Sequence, residues 1–466
     1  MRFRNTTGNS IYLEDIDRHI PFEEDREFEI DVDDVKKSFT FQNLAVLGAV
    51  EIIEHGEERV EKNLIRFARE RAEHAEKAED EEPRMASGDT PEVIIKGHFY
   101  EAGGYAKVNR NLAMGLRALG TNVEINPFTT KRNDLNEFEV RALAPMKKRL
   151  GRGAIKIDSI IPSFSEMSVQ HPYSILYTTV EAASIPEQFV EICNRYNEVW
   201  VTADFCKQVM EKCGVRKPIY VMPPGINLKT FHPDYEPYDF SPSLKSFVFC
   251  ALGQWQPRKG WDALVRAYLT EFSGDDDVSL LVVSRYQYSS ERSGVIKTEI
   301  DKLIKKYGGD NPAHIVRCRR VIPEYELPRI YKACNAFVLP SRGEGFGLPY
   351  AEASLCGLPC IATNHSGHTM FLKGDNSILV DIDRLEKIPK GSMHVHYWDD
   401  QLFPSLRSQD FIDNFGGAMR DAYDYYDEAL ERNERLQSLL KEQYSFRASA
   451  QRAKDRIDEI WKTLKE

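Results

Sequence analysis

Hydrophobic and polar positions follow three patterns along the chain. Residues 1–55 contain short runs in which apolar and polar side chains alternate, which is typical of β-strands. From residue 56 to residue 82 charged residues dominate, and Val60, Leu64 and Phe67 recur at helical spacing. The pattern predicts a small β-rich module at residues 1–55 and a charged helical spacer with a linker at residues 56–90.

From residue 91 onward, apolar strand-like runs alternate with helical patterns, which indicates a parallel sheet with helices on its faces. A strand near residues 93–97 is followed by Gly103-Gly104 and by a helix at about 107–119. Further strands are expected near residues 122–125, 174–177, 198–201 and 219–222. We therefore predict a first doubly wound, Rossmann-like domain at residues 91–238.

The same alternation begins again after a segment rich in proline and aromatic residues at 231–242. Strands are expected near residues 247–252, 279–283, 314–318 and 336–339, and helices near 261–272, 418–441 and 446–464. These patterns predict a second Rossmann-like domain at residues 239–444, and a terminal helix at 445–466 that returns to the first domain. Two such domains face a cleft, and ligands bind at the carboxyl ends of the strands.

One segment of the second domain has the features of a phosphate site. A buried strand ending at Pro340 leads into a loop with Gly343, Gly345 and Gly347, and a helix begins at about Leu348. A glycine-rich turn before a helix N-terminus presents backbone N–H groups to an anion. Two carboxylates, Glu344 and Glu352, frame this turn, so the segment favours a phosphorylated, hydroxyl-rich ligand such as a nucleotide sugar.

Composition and charge narrow the classes of function. The chain has 466 residues and a net charge of −11, which argues against broad electrostatic binding to nucleic acid or anionic membranes. No apolar run of 18 residues and no signal-peptide core is present, and the eight cysteines lack paired CxxC spacing. We expect a cytoplasmic protein without a transmembrane segment. The pair Asp381 and Asp383 lies in a charged segment and is interpreted as solvated, not as a metal site.

The ordered set of motifs resembles family four of the retaining glycosyltransferases with the GT-B fold. Glu344-Gly-Phe-Gly-Leu-Pro-Tyr-Ala-Glu352 is similar to the E-x7-E signature of that family. Gly103-Gly104 resembles its glycine-rich N-terminal loop, Gly253-Gln-Trp-Gln-Pro-Arg258-Lys259-Gly260 its diphosphate loop, and Pro223-Pro-Gly-Ile-Asn227 its interdomain connection. The resemblance covers about residues 91–466 and does not extend to residues 1–90.

The resemblance implies a role for each matching residue. Arg258 and Lys259 would neutralise the departing diphosphate, Glu344 would bind hydroxyls of the donor sugar, and Glu352 would bind the ribose. The remaining members of the implied donor site supply backbone groups around the sugar and phosphates: Gly103, Gly104, Gly345, Phe346, Gly347 and Leu348. A solvated turn for Arg258 and Lys259, and a surface position for Glu352, are the alternative interpretations. The implied reaction needs no metal and no cofactor besides the donor.

The acceptor side departs from the family pattern. Many relatives have a histidine near the end of a strand in the middle of the first domain, where this chain has Glu181. Glu181 is the candidate for the acceptor-side polar group, and capping of the helix near Pro186 is the alternative. Many relatives also have an arginine where this chain has Gln254. The further candidates near the acceptor or the phosphates are His98, Tyr100, His171, His365 and His368.

The leading hypothesis is a hexosyltransferase that uses a UDP- or GDP-sugar as donor and an unknown glycan, lipid, protein or nucleic acid as acceptor. A sugar-phosphate synthase or phosphorylase of the same fold is one alternative, and a non-catalytic component of a larger assembly is another. Residues 1–82 would serve the assembly as a homo-oligomerisation or docking module, or would simply pack on the main body.

Overall fold

The computed structural model describes five short strands within residues 1–54, and residues 88–466 except 102, 130–136, 152, 163–170, 241–243, 286–292, 319–321 and 391–395. The chain divides into two compact units. One comprises Met1–Pro83 with Ser168–Gln170, and the other comprises Arg84–Met167 with His171–Glu466. The domain boundaries expected at residues 55, 90, 238 and 444 stay predictions.

The first unit contains β1 (Arg2–Asn5), β2 (Ile11–Leu13), β3 (Arg18–Ile20), β4 (Glu27–Glu29) and β5 (Val50–Glu54). β1 pairs antiparallel with both β4 and β5, and β2 pairs antiparallel with β3. The small β-rich region expected from the alternating pattern is therefore present. The charged helical spacer falls on residues up to 87 that lie outside the described part of the chain.

The first sheet of the second unit has six parallel strands in the spatial order β11-β10-β9-β8-β6-β7. They are β6 (Glu92–Gly97), β7 (Asn122–Pro127), β8 (Ile155–Ser159), β9 (Ser174–Thr178), β10 (Glu198–Val201) and β11 (Ile219–Val221). Its helices are α1 (Gly104–Ala118), α2 (Glu137–Leu143), α3 (Glu187–Cys193) and α4 (Asp204–Cys213). Every residue of β8, β9 and β10 is buried, as expected for central strands covered on both faces.

The second sheet also has six parallel strands, in the order β14-β13-β12-β15-β16-β17. They are β12 (Phe247–Gln254), β13 (Val278–Arg285), β14 (His314–Cys318), β15 (Ala336–Leu339), β16 (Cys360–Thr363) and β17 (Ile378–Val380). A short antiparallel pair, β18 (Leu385–Lys387) and β19 (Leu402–Pro404), follows. The helices are α5 (Trp261–Glu271), α6 (Ser293–Tyr307), α7 (Leu327–Lys332), α8 (Leu348–Leu355), α9 (Gln409–Asp424) and α10 (Tyr426–Gln443). Two facing parallel α/β sheets make the GT-B fold predicted from the sequence.

The last helix, α11 (Phe446–Lys465), packs with the first sheet, although it follows the second domain in sequence. Its apolar face, with Ile457 and Trp461, lies in the same core as Val93 of β6. Gly115 of α1 permits this packing, because a Cβ there would lie 2.5 Å from the Cβ of Ala450. The chain returns beside its earlier crossing: Ile226 N–H donates to Tyr444 O at 2.9 Å, and Phe446 N–H donates to Ile226 O at 3.0 Å.

Several elements differ from the sequence-based expectation. β8, which lies inside the first sheet, was not expected from the hydrophobic pattern. The helical stretch expected at residues 418–441 is present, but a break at Tyr425 (φ −117°, ψ 49°) divides it between α9, which begins at Gln409, and α10.

Candidate functional site

The glycine-rich segment of residues 340–347 connects β15 to α8 at the carboxyl end of the second sheet. Gly347 has φ 94°, a left-handed conformation that favours glycine. Gly343 and Gly345 are needed for a different reason, since each touches the first domain. A Cβ on Gly343 would lie 1.9 Å from Glu181 O, and one on Gly345 would lie 1.8 Å from Thr179 Oγ1. The loop therefore lies directly against the first domain, which closes the cleft over it.

Glu344 is held on several sides within this loop. Its carboxylate accepts from Lys259 Nζ at 2.6 Å and from Ser341 Oγ at 2.8 Å, and it lies 3.5 Å from an Arg258 nitrogen. Its own N–H donates to Ser366 Oγ at 2.9 Å. Only 5% of Glu344 is exposed. The side chain is therefore a buried, oriented anion between two cations.

Arg258 and Lys259 lie on a short 3-10 turn, Pro257–Lys259, between β12 and α5. Both side chains are buried, so the interpretation of a solvated turn is wrong. The turn is tied to the glycine-rich loop, because Arg258 donates to Gly343 O at 2.5 Å and Arg342 N–H donates to Arg258 O at 2.7 Å. Two cations thus converge on the loop that carries Glu344.

Glu181 completes this group from the first domain. Its carboxylate lies 3.0 Å from Arg258 and also accepts a hydrogen bond from the Trp398 indole. The alternative of a helix cap is wrong, because α3 begins after Pro186 without a side-chain cap. Glu181 therefore bridges the two domains at the position where the acceptor-side group was expected.

The electrostatics of these carboxyl groups differ. Burial raises the pKa of Glu344, but the charges of Lys259 and Arg258 outweigh burial and lower it to about 2. Burial raises the pKa of Glu181, the charge of Arg258 offsets this in part, and the nearby Glu344 adds to it. Glu344 is therefore a permanent anion at neutral pH, whereas Glu181 binds a proton more readily than an ordinary glutamate does.

Glu352 lies on the second turn of α8 and is 3% exposed, so the surface interpretation is wrong. Lys107 of α1 donates to its Oε1 at 2.5 Å, and the same ammonium lies 3.0 Å from Glu324. Burial raises the pKa of Glu352, and Lys107 opposes that shift. Glu352 is thus contacted by Lys107 of the first domain. Lys107 lies about one helical turn after Gly103 and Gly104.

The other residues of the predicted donor site fall into two groups. Gly103 and Gly104 are exposed at the start of α1, with Gly103 at its N-cap, and no atom lies within 4 Å of a Cβ added to either. Phe346 and Leu348 turn their side chains into the protein, where Phe346 packs 4.9 Å from Phe371 between ring centroids. Their contribution to a ligand would come from the backbone. The N-terminus of α8 has no side-chain cap.

The four histidine candidates have local contacts. His98 contacts Glu101 at 2.9 Å, and His171 contacts Ala154 O at 3.1 Å. Tyr100 is buried. His365 packs edge-on against Phe205, and burial lowers its pKa to about 4. His368 is fully buried, stacks on Tyr350, and its Nε2 lies 2.7 Å from Thr363 O. His368 is therefore a buried side chain close to Glu344.

The two aspartates at 381 and 383 are exposed, as expected, and contact Asn364 and Ser408. In the described part of the chain, no group of three or more His, Cys, Asp or Glu residues could hold a metal ion. None of the helices within the described ranges is long and apolar enough to cross a membrane.

Sequence reasoning missed several residues that shape the site. Arg342 forms a bidentate pair with Asp262 at 2.9 Å and so fixes the loop to α5. Thr202 donates to Gly345 O at 2.7 Å from the first domain. Ser366, which accepts from Glu344, has φ 75°, an uncommon value outside glycine. Lys107 donates to Glu352 across the two domains. A periodic pattern marks none of these, because their partners are distant in sequence.

Part of the second domain is similar to known proteins. Residues 246–390 match the family described as Glycosyl transferases group 1. A D-inositol 3-phosphate glycosyltransferase of Catenulispora acidiphila is 30% identical over 167 residues, which are 35% of this chain and 40% of that protein. The chain spans less than half the length of the curated relatives it matches first.

Solved structures extend the likeness to both domains. Anabaena HepE in complex with UDP-glucose superposes with a TM-score of 0.55 at 15% identity, covering 80% of this chain and 99% of that chain. Sucrose-phosphate synthase from Thermosynechococcus elongatus gives a TM-score of 0.56 at 17% identity, covering 80% and 100%. At these identities the likeness is one of fold. Residues 246–390 thus match the glycosyl transferases group 1, and the two domains together have the GT-B fold of these solved structures.

Proposed function

We propose that the protein is a retaining glycosyltransferase, which moves a hexose from a UDP- or GDP-sugar to an acceptor hydroxyl without a metal ion. One observation carries the proposal: the cations Arg258 and Lys259 converge on Glu344, with Lys259 2.6 Å from its carboxylate, where the two domains meet. The match of residues 246–390 to the glycosyl transferases group 1 supports the same activity. The D-inositol 3-phosphate glycosyltransferase of Catenulispora acidiphila and the HepE complex with UDP-glucose are examples of the acceptor and donor classes.

The cations would exchange partners during the reaction. In the structure, carboxylates neutralise them: Arg258 contacts Glu181 at 3.0 Å and Lys259 contacts Glu344. A diphosphate that enters the cleft offers oxygens to the same two groups, as a fork from Arg258 and a point charge from Lys259. Their charge then stabilises the phosphate as its bond to the anomeric carbon breaks.

The released carboxylates would take the uncharged parts of the donor and acceptor. Glu344 is an anion at neutral pH, so it accepts hydrogen bonds from sugar hydroxyls and does not supply a proton. Glu181 reaches the same place from the first domain, which suits an acceptor hydroxyl. Attack on the same face of the sugar, with the departing phosphate accepting the proton, retains the configuration and requires no strong protein base.

The direct test is donor use. The full-length chain is incubated with UDP-, GDP- and ADP-sugars, and nucleotide release and nucleotide affinity are measured. We expect slow hydrolysis of at least one donor and saturable binding of its nucleotide, with a rate that EDTA leaves unchanged. A chain that binds none of these nucleotides is not a glycosyltransferase, and a clear loss of rate with EDTA contradicts the metal-free reaction.

Two substitutions examine the charged group itself. Lys259→Met should lower turnover roughly 100-fold, because it removes charge stabilisation at the departing phosphate. Glu344→Gln should weaken use of the sugar while the protein stays folded. Lys305→Met and Glu434→Gln are matched controls at exposed helical positions of the second domain. Turnover that survives unchanged in Lys259→Met removes this residue from the mechanism.

A sugar-phosphate acceptor is the second candidate, and one surface favours it. Lys147, Lys148 and Arg149 are consecutive and exposed, in an otherwise acidic chain. Lys147 lies 5.5 Å from the ring of Tyr100, which follows the carboxyl end of β6. A panel of phosphorylated and free sugars as acceptors separates the two candidates, since only the synthase reading requires the phosphate.

A further inference from the structure

Four charged side chains form a second group at the domain boundary, here called the interdomain ion cluster. Lys107 and Arg110 come from α1 of the first sheet, and Glu324 and Glu352 come from the second domain. Lys107 Nζ lies 2.5 Å from Glu352 and 3.0 Å from Glu324, and Arg110 lies 3.6 Å from Glu324. The ammonium also lies 5.1 Å from the ring of Phe231, at the start of the interdomain segment.

The proposed reaction gives Glu352 a ligand but leaves Lys107 without a task. Its ammonium is well shielded, with 15% of the side chain exposed, and it reaches across 245 positions in sequence to Glu352. Holding a long lysine side chain in one place costs conformational entropy. Because the pair of Lys107 and Glu352 is buried and joins the two domains, it constrains the relative position of the domains and the orientation of the Glu352 carboxylate.

We propose that Lys107 is a positioning residue of the donor site, which bridges Glu324 and Glu352 from the opposite domain and aims the Glu352 carboxylate at the ribose hydroxyls of a nucleoside diphosphate. The inference rests on the proposed function, because it presupposes a nucleotide in the cleft. It assigns to the first domain a contribution to nucleotide recognition, which the second domain would otherwise supply alone.

The charges around Glu352 explain why it needs this support. Burial raises the pKa of Glu352 and the neighbouring carboxylate of Glu324 raises it further, whereas Lys107 lowers it. Tyr331 of α7 and Cys356, just after α8, also face it, and both are neutral groups whose own pKa values burial raises. Without Lys107, Glu352 would hold a proton over a wider pH range and accept ribose hydroxyls less well.

A cycle of protein and ligand changes tests the inference by calorimetry on the full-length chain. The probes are UDP, GDP and ADP, each paired with its 2′,3′-dideoxy counterpart. In the wild type, the nucleotide that binds should do so about tenfold or more tightly than its dideoxy form, as hydrogen bonds to a charged group require. In Lys107→Met this ratio should fall to within about twofold, while affinity for the dideoxy form stays nearly constant.

The pH dependence adds a readout that a structural role would not move. In Lys107→Met the ratio should recover as pH rises, because the carboxyl group then ionises without its partner. Glu324→Gln should act in the opposite direction and preserve the ratio to lower pH, since it removes the neighbouring negative charge. Lys107→Arg keeps the charge and should keep most of the ratio. Lys207→Met is the matched control, a lysine of α4 paired in solvent with Glu211 at 3.8 Å.

Each remaining outcome counts against the inference in a distinct way. An undiminished ratio in Lys107→Met, or equal weakening of both ligands through a direct contact with the diphosphate, overturns the positioning role alone. A wild-type protein that binds none of the three nucleotides overturns the proposed function and this inference with it. If Lys107→Met does not fold, Lys107→Gln and the pH series on Glu324→Gln give the same decision.

Discussion

At the scale of single residues, the ionisable groups of the cleft are matched in pairs. Glu344 pairs with Lys259, Glu181 with Arg258, and Glu352 with Lys107. Burial of any one of these charges without its partner would cost several kcal/mol, so each charge requires the oppositely charged partner beside it. A diphosphate that entered the cleft would therefore replace the carboxylates as partner of Arg258 and Lys259, and the carboxylates would need hydrogen-bond donors from the ligand.

This arrangement predicts how stability depends on pH. The folded-state pKa of Glu344 is lowered from 4.5 to about 2, so its stabilisation is fully present above the unfolded value and is lost as pH falls toward 2. The shift corresponds to about 3 kcal/mol at neutral pH. Between pH 5 and pH 2.5 the thermal midpoint of the wild type should fall more than that of Glu344→Gln, by roughly several degrees. Glu434→Gln should follow the wild type, and parallel curves for all three would show that Glu344 is not coupled to the two cations.

The sequence predicted residues of this site where a motif carries them, and missed those that only proximity reveals. Glu344 and Glu352 frame a strand–turn–helix pattern, and the resemblance to the family's diphosphate loop pointed to Arg258 and Lys259. Lys107 meets Glu352 only because two domains close on each other, and no local pattern encodes that contact. The assigned roles of all these residues stay predictions, although their burial and proximity support them.

At the scale of elements, the glycine-rich loop sets how closely the domains approach. Gly345 lies against the Thr179 side chain and Gly343 against the backbone of Glu181, so both depend on the lack of a Cβ. The loop is also held from behind by the pair of Arg342 with Asp262. Because the loop is held on one side and contacts the first domain on the other, it has little space for a larger side chain at either glycine.

Gly345→Ala should therefore hold the domains apart while leaving each sheet intact. Its Cβ would lie 1.8 Å from Thr179 Oγ1, so the loop or the first domain must shift. Displacement of reacting groups by about 1 Å can lower turnover roughly 100-fold. The measurement is kcat with the best donor, together with the thermal midpoint. Gly417→Ala in α9 is the control, because no atom lies within 4 Å of its added Cβ. Full turnover in Gly345→Ala would mean that the reactive state does not use this contact.

The elements themselves were predicted well where apolar runs were continuous. β14 and β15 have the expected bounds, and α1, α5 and α11 differ from expectation by a few residues at most. β8 escaped notice because Lys156 and Asp158 interrupt its apolar residues. In the structure these two side chains lie 3.2 Å apart and are buried, and Asp158 also accepts from Tyr196 at 2.8 Å. When a central strand contains a buried ion pair of this kind, its sequence has the alternating apolar and polar pattern of an exposed strand.

At the scale of the whole molecule, the chain separates into two compact units, with the first ending at Pro83 apart from three residues, Ser168–Gln170. Both six-stranded sheets and the helices around the cleft lie in the second unit. The change of hydrophobic pattern at residue 91 predicts a separate N-terminal region, but it gives no information on what that region binds.

Removal of residues 1–82 should leave the second unit folded and able to bind nucleotide within about twofold of the full chain. Calorimetry with the nucleotide that the wild type prefers, and the mass of the purified protein in solution, are the two measurements. A change in oligomeric mass with unchanged affinity would support a docking or assembly role for the removed part. A truncated chain that aggregates on expression would show that the core needs it.

The placement of α11 has a consequence for the order in which the protein forms during synthesis. The last strand of the first sheet ends at Val221, but the helix that fills its core begins at Phe446. At a synthesis rate of about 5–20 residues per second, the first sheet emerges from the ribosome roughly 10–45 s before that helix. During that interval the surface that Ile457 and Trp461 later cover is open to water or to a chaperone. The domain made first is therefore completed last, and only when the second has already been made.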